Sequence, residues 1–218
     1  MDAARETRSL WTFEFLALCL VTATAFCNVS AFYSFYHYLG VIDVPIVWRG
    51  FLVGLEPMAA FALRLFVLPA LHLRNAFWMT MAALMLLVAV SCSYLFVATV
   101  SGLIVVRILH GSVFVLLTSA AISLMVAFIP EGKSGQGFSA MSLASMIPYA
   151  VVPPLSEALL PHVRNAADIY AGVSLISLAS FALMLKVRGR IMQAIDKMDA
   201  VLMQKWTLTE IRENFRSR

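Results

Sequence analysis

Six long apolar stretches, divided by short polar breaks, restrict what this chain can fold into more than any other feature. They run over about residues 13–36, 47–71, 77–97, 103–128, 138–160 and 169–185. Each is close to the roughly 20 residues that carry a helix across a hydrocarbon core. The breaks carry turn chemistry: Gly40 to Pro45, His72-Leu73-Arg74-Asn75, Ser101-Gly102, Pro130-Glu131-Gly132-Lys133-Ser134-Gly135 and Pro161-His162-Val163-Arg164-Asn165. Backbone polar groups in lipid must bond internally, so spanning segments are helices or closed barrels. The stretches are too long and too uniformly apolar for the alternating strands of a barrel. Composition points the same way, with 61% apolar and 13% charged residues over 218, against about 45–50% and about 25% in soluble domains. A soluble enzyme, a disordered regulator and a nucleic-acid-binding domain are therefore disfavoured. The expected fold class is an all-α, integral membrane six-helix bundle.

The distribution of charge supplies an orientation. With the N-terminus cytoplasmic, the inside segments hold Arg5, Arg8, Arg74, Lys133 and eight basic residues from Lys186 onward, twelve in all, and the outside segments hold only Arg49 and Arg164. Basic residues concentrate on the cytoplasmic side, so both termini are expected inside, in the cell (inner) membrane. This accounts for the net charge of +4 without nucleic acid as a partner. The first stretch is far longer than the roughly 7–15 residues of a signal core, and is read as a retained span. Cys19, Cys27 and Cys92 lie within apolar runs and form no metal-ligand spacing, so no metal and no cofactor are expected.

Three regions follow: a cytoplasmic segment 1–12, the bundle 13–185 and a basic cytoplasmic tail 186–218. In the tail, Ile191, Ile195, Met198 and Leu202 recur at helical spacing, which reads as an amphipathic helix on the bilayer or on the bundle. Thr207-Leu208-Thr209-Glu210 has capping-box spacing and is expected to open a second short helix through Phe215.

An ionisable residue at mid-membrane is costly, so its default reading is functional. Span two carries Glu56, followed by Pro57, with Arg49 seven residues earlier and Arg64 eight later. Arg49 and Glu56 share a face about 10 Å apart along the axis. Glu56 is thus read as a proton-coupling group or as the partner of Arg49, Arg64 or Arg107. Arg64 is close enough to the cytoplasmic end to snorkel. Span four carries Arg107, then His110 and Gly111 one turn on; span one carries Asn28, Ser30, Tyr33 and Tyr36. Arg107, His110, Asn28 and Tyr33 are the candidate substrate contacts. Span five carries Glu157 near its outer end, after Pro148, Pro153 and Pro154. These prolines, with Pro57 and Gly111, are the candidate kink and gating positions. Spans three and six hold no interior charge. That split places three and six mainly against lipid, with one, two, four and five around a polar cavity.

Arg107-Ile108-Leu109-His110-Gly111 resembles the R-x-x-Q-G signature of the major facilitator superfamily, with His110 in the usual glutamine position. The segment 129–137 resembles that family's basic, glycine-rich link into its fifth helix, and the proline-rich fifth span stands where its antiporter motif lies. The resemblance covers nearly the whole chain and implies the N-terminal six-helix half of the family fold, built of two three-helix repeats. Two elements depart from it. The loop Ala70-Leu71-His72-Leu73-Arg74-Asn75-Ala76 keeps only a basic residue of the family's loop motif, and no aspartate occurs between Asp43 and Asp168. The fifth span lacks the antiporter glycines, so antiport is not inferred.

The resemblance implies membrane transport of a small solute by alternating access, with proton coupling through Glu56 and Arg107 as an anion or carboxylate contact. It also implies a second six-helix half as partner, whether a separate chain, a missing C-terminal half or a second copy. The competing reading is a non-transporting membrane scaffold or regulator acting through its basic tail. An enzyme is not expected: G-x-S-G, paired membrane aspartates and H-E-x-x-H are all absent from the sequence, and no catalytic residue is assigned.

Overall fold

The computed structural model describes residues 9–205, and every regular element in that range is helical. The helices are α1 (Phe13–Ala31), α2 (Phe35–Val41), α3 (Ile46–Ala70), α4 (Leu73–Ser93), α5 (Val100–Ala127), α6 (Ser134–Leu159), α7 (Ala166–Ser174) and α8 (Ile176–Lys205). They make six candidate membrane spans: Phe13–Val41, Ile46–Val67, Leu73–Ser93, Val100–Ala127, Ser134–His162 and Ala166–Met198. Span one is α1 and α2 joined by a 3-10 turn at Phe32–Ser34, and span six breaks at Leu175 between α7 and α8. The chain is thus an all-α six-helix bundle with the dimensions of a multi-pass membrane protein.

Local chemistry sets the helix ends. The Thr12 hydroxyl accepts from the Phe15 N–H at 3.2 Å, Thr99 from Gly102 at 3.3 Å, and the Asn165 side chain from Ala167 at 2.9 Å. Each satisfies an N–H that the first helical turn leaves free. The turn into span six sits on Pro161. Gly132, at φ +81°, provides the left-handed residue of the turn before α6.

Spans one and four form the centre. Span four packs against spans two and three, span one packs against spans five and six, and the two pairs meet through one–four and three–six contacts. Exchanging one with four, two with five and three with six maps this arrangement onto itself. Spans two and five pack on opposite partners and make no substantial contact with each other. Side chains cross the interior as polar ties: Thr24 Oγ1 lies 2.7 Å from Ser180 Oγ, and the Thr22 hydroxyl donates to Met125 Sδ at 3.1 Å. Such bonds hold helices together where burial of apolar surface supplies little driving force.

Two sequence expectations change here. Spans two and five, not three and six, are the most exposed of the six, and span one is the most buried. Charge alone could not show this, because spans three and six pack through small and apolar residues, with Ala76, Ala83, Leu84, Leu87, Met184 and Val187 all in the core. The boundary at 185/186 is also not a break. α8 runs unbroken from Ile176 to Lys205, and Ile191 and Ile195 are fully buried in the same core as the spans. The amphipathic stripe read in the tail therefore docks on the bundle. The short helix expected over 207–215, the side chain of Leu202 and the basic residues Arg5 and Arg8 lie outside the described residues.

Candidate functional site

The site begins with Pro57. A proline inside a helix has no N–H to give the carbonyl four residues back, so within α3 the Val53 carbonyl loses its helical donor. Arg107 of span four takes that donor's place. Its Nη2 donates to the Val53 carbonyl at 3.1 Å and its Nε to the neighbouring Leu52 carbonyl at 3.1 Å. The same Nη2 lies 3.6 Å from Glu56 Oε2. The guanidinium also stacks on Phe35, with Cζ 4.4 Å from the ring centroid, and lies 5.6 Å from that of Phe32. Arg107 is 3% exposed, and its Nη1 has no protein hydrogen-bond partner.

The approach of spans two and four depends on Gly111. A Cβ there would overlap the Glu56 carbonyl oxygen and would lie 3.0 Å from the Glu56 carbonyl carbon and 3.1 Å from the Ala60 nitrogen. The two helices therefore touch backbone to backbone one turn from the Arg107–Glu56 pair. Glu56 lies ten residues into α3 and Arg107 seven into α5, which puts both about 10–15 Å from the ends at which their helices start.

A second polar chain runs beside the pair. His110 Nε2 lies 2.7 Å from Asn28 Oδ1, Asn28 Nδ2 donates to Ser91 Oγ at 2.9 Å, and the Tyr94 hydroxyl lies 3.4 Å from His110 Nδ1. With Asn28 Oδ1 accepting, Nε2 carries the proton, and Nδ1 of a neutral ring then accepts from Tyr94. The chain links spans one, three and four. Around it, Phe32 stacks on Tyr170 with centroids 3.9 Å apart and meets His110 edge-on at 4.7 Å. Tyr170 brings in span six, and its hydroxyl is also without a protein partner.

The structure brings together three of the four sequence-nominated substrate contacts, Arg107, His110 and Asn28. All three lie in the bundle interior rather than lining an opening, and Asn28 and His110 satisfy each other. Tyr33 is elsewhere: it is exposed, and its hydroxyl donates to the Glu157 carboxylate of span five. Arg49 is not the partner of Glu56. Its Nε donates to the Val44 carbonyl at 2.8 Å, and its guanidinium lies over Gly40. It therefore ties the turn between spans one and two. Arg64 is exposed on span two. Pro57 and Gly111 act directly at the Arg107–Glu56 contact. Pro148, Pro153 and Pro154 all lie within α6, and only Pro148 is buried.

Sequence reasoning missed Ser91, Tyr94 and Tyr170. They belong to spans three and six, which carry no interior charge, and the only signal was a Ser and a Tyr three apart near the end of an apolar helix. Phe32 and Phe35 gave no separate signal in an aromatic-rich stretch. Among the described residues, no group of three or more His, Cys, Asp or Glu is placed to hold a metal ion.

No family model, curated protein or solved structure matches this chain.

Proposed function

We propose that the chain forms one six-helix half of a secondary transporter of the major facilitator type, moving a small solute by alternating access with proton coupling. The helix arrangement carries this reading. Two three-span units, each with an odd number of crossings, enter the bilayer from opposite sides and pack as equivalents. Such inverted repeats are the common build of secondary transporters, whose sites lie near the midplane. The uncovered faces of spans two and five then belong against a second six-helix unit, covalently joined or separate.

In this reading Glu56 is the proton acceptor and Arg107 the anion contact. Protonation of Glu56 removes the carboxylate facing Arg107 and leaves the guanidinium held by the Leu52 and Val53 carbonyls and two aromatic faces. An anionic group on the solute then takes the vacated place. The His110–Asn28–Ser91 chain keeps spans one, three and four in register. Both termini lie in the cytoplasm.

The test is solute-driven proton flux in proteoliposomes carrying a pH-sensitive dye. Glu56→Gln and Arg107→Ala are expected to abolish flux while both proteins remain folded. Wild-type flux in both variants removes the site assignment. A folded, inactive protein that holds a soluble partner stably through residues 186–218 favours the membrane scaffold instead.

A further inference from the structure

At the end of the bundle where spans one, three and five begin, an arginine of span six stacks on an exposed tryptophan of span three, one helical turn from a second arginine. Met184, Val187 and Ile191 of α8 are fully buried, so Arg188, the next residue after Val187, leaves the helix at the edge facing span three. Its Cζ lies 4.7 Å from the ring centroid of Trp78. Trp78 is half exposed. Arg74, also exposed, stands four residues before Trp78 on α4, hence on the same helix face.

Neither Arg74 nor Arg188 has a carboxylate partner among the described residues. Arg190 differs: its Nη1 lies 3.4 Å from Glu14 Oε1. Among the described residues, the Arg74–Trp78–Arg188 group is therefore a site of two positive charges with no carboxylate paired to either.

Its placement says what it meets. Exposed tryptophans on membrane helices lie at the headgroup level, and the excess of basic residues puts this end in the cytoplasm. An arginine stacked on an aromatic ring uses its face, which leaves its edge N–H groups free for a phosphate in bidentate geometry. We propose that Arg74, Trp78 and Arg188 form a binding site for the phosphate of an anionic phospholipid of the cytoplasmic leaflet. The indole lies beside the glycerol and upper acyl region, and the two guanidinium groups hold the phosphate. This site rests on the charge-derived orientation and is independent of any transport activity.

The experiment uses the full chain with Trp11→Phe, Trp48→Phe and Trp206→Phe, so that Trp78 is the sole tryptophan. It is reconstituted in phosphatidylcholine vesicles with a brominated probe lipid, either phosphatidylglycerol or phosphatidylcholine. Brominated phosphatidylglycerol is expected to quench Trp78 with about 25-fold higher apparent affinity, each arginine contributing about five-fold. Arg74→Gln with Arg188→Gln brings the ratio to near one, and Arg190→Gln leaves it unchanged. Equal quenching by the two probes in the parent protein overturns the proposal. Loss of the preference with Arg190→Gln alone also overturns it, because that assigns the effect to diffuse charge, and so does its abolition by excess inorganic phosphate. Phosphorus analysis of lipid retained by the tryptophan-complete protein, with and without the Arg74→Gln and Arg188→Gln changes, makes the same comparison without the tryptophan substitutions.

Discussion

If Arg107 caps the carbonyl that Pro57 frees, then Pro57 and Arg107 are energetically coupled, and the sign of the coupling is set by the geometry. Replacing Arg107 by Met removes the donors that lie 3.1 Å from the Leu52 and Val53 carbonyls. The Leu52 carbonyl keeps its helical donor, the N–H of Glu56. The Val53 carbonyl keeps none. Stranding a buried acceptor costs about 1–3 kcal/mol. Pro57→Ala restores an N–H four residues after Val53, so in that background the same change strands nothing.

The measurement is best made in a Glu56→Gln protein, which removes the separate cost of an unpaired carboxylate. There, Arg107→Met is expected to destabilise by about 1–3 kcal/mol with Pro57 present and by under about 1 kcal/mol once Pro57→Ala has been made. The coupling is about 1–2 kcal/mol, near the upper end of interhelical polar interactions measured in bilayers. Reversible unfolding in mixed micelles gives the four stabilities of the cycle. Costs that add to within about 0.5 kcal/mol, the usual tolerance for independent sites, would refute the capping argument. Arg107 would then be held by Glu56 and the aromatic faces alone.

Two other substitutions test the packing around the site. Gly111→Ala sets a methyl against the Glu56 backbone, so spans two and four must part by about 1 Å, and overpacking of this kind costs about 1–3 kcal/mol; an unchanged thermal midpoint in detergent would place the helices further apart than described. Asn28→Leu leaves the His110 Nε2–H and the Ser91 hydroxyl without their shared partner and should cost about 1–3 kcal/mol, whereas adding His110→Phe should recover part of that loss because both ends of the Asn28–His110 bond are then gone and only Ser91 stays unpartnered. Denaturation of the single and double variants checks this, and equal or greater loss in the double variant contradicts the hydrogen-bonded chain.

Length, apolar run and break chemistry were enough to define the six spans: the first five begin and end within about five residues of where the hydropathy pattern sets them, and the sixth runs on past 185 to Met198. The spacing of Ile191 and Ile195 marked a buried face of α8, but not what it would bury against, because an amphipathic stripe fits a bilayer or a bundle equally well. Among the site residues, Glu56, Arg107, His110 and Asn28 were legible because charge and amide groups are rare in apolar helices and stand out. Ser91, Tyr94 and Tyr170 were not, since hydroxyl groups occur throughout such helices and only a facing partner distinguishes one from another.

Sequence alone determined the class of molecule and the number of candidate crossings, both of which follow from the one-dimensional distribution of apolar residues against a bilayer of fixed thickness. Tertiary structure decided the pairings. Glu56 had two arginines on its own helix, Arg49 and Arg64, and a third, Arg107, on span four as candidate partners, and the choice of Arg107 depends on Pro57 freeing a carbonyl and on Gly111 letting a second backbone come close enough to use it. Those are interactions between helices separated by some fifty residues, and helical periodicity, which relates residues only to neighbours on their own helix, carries no information about them.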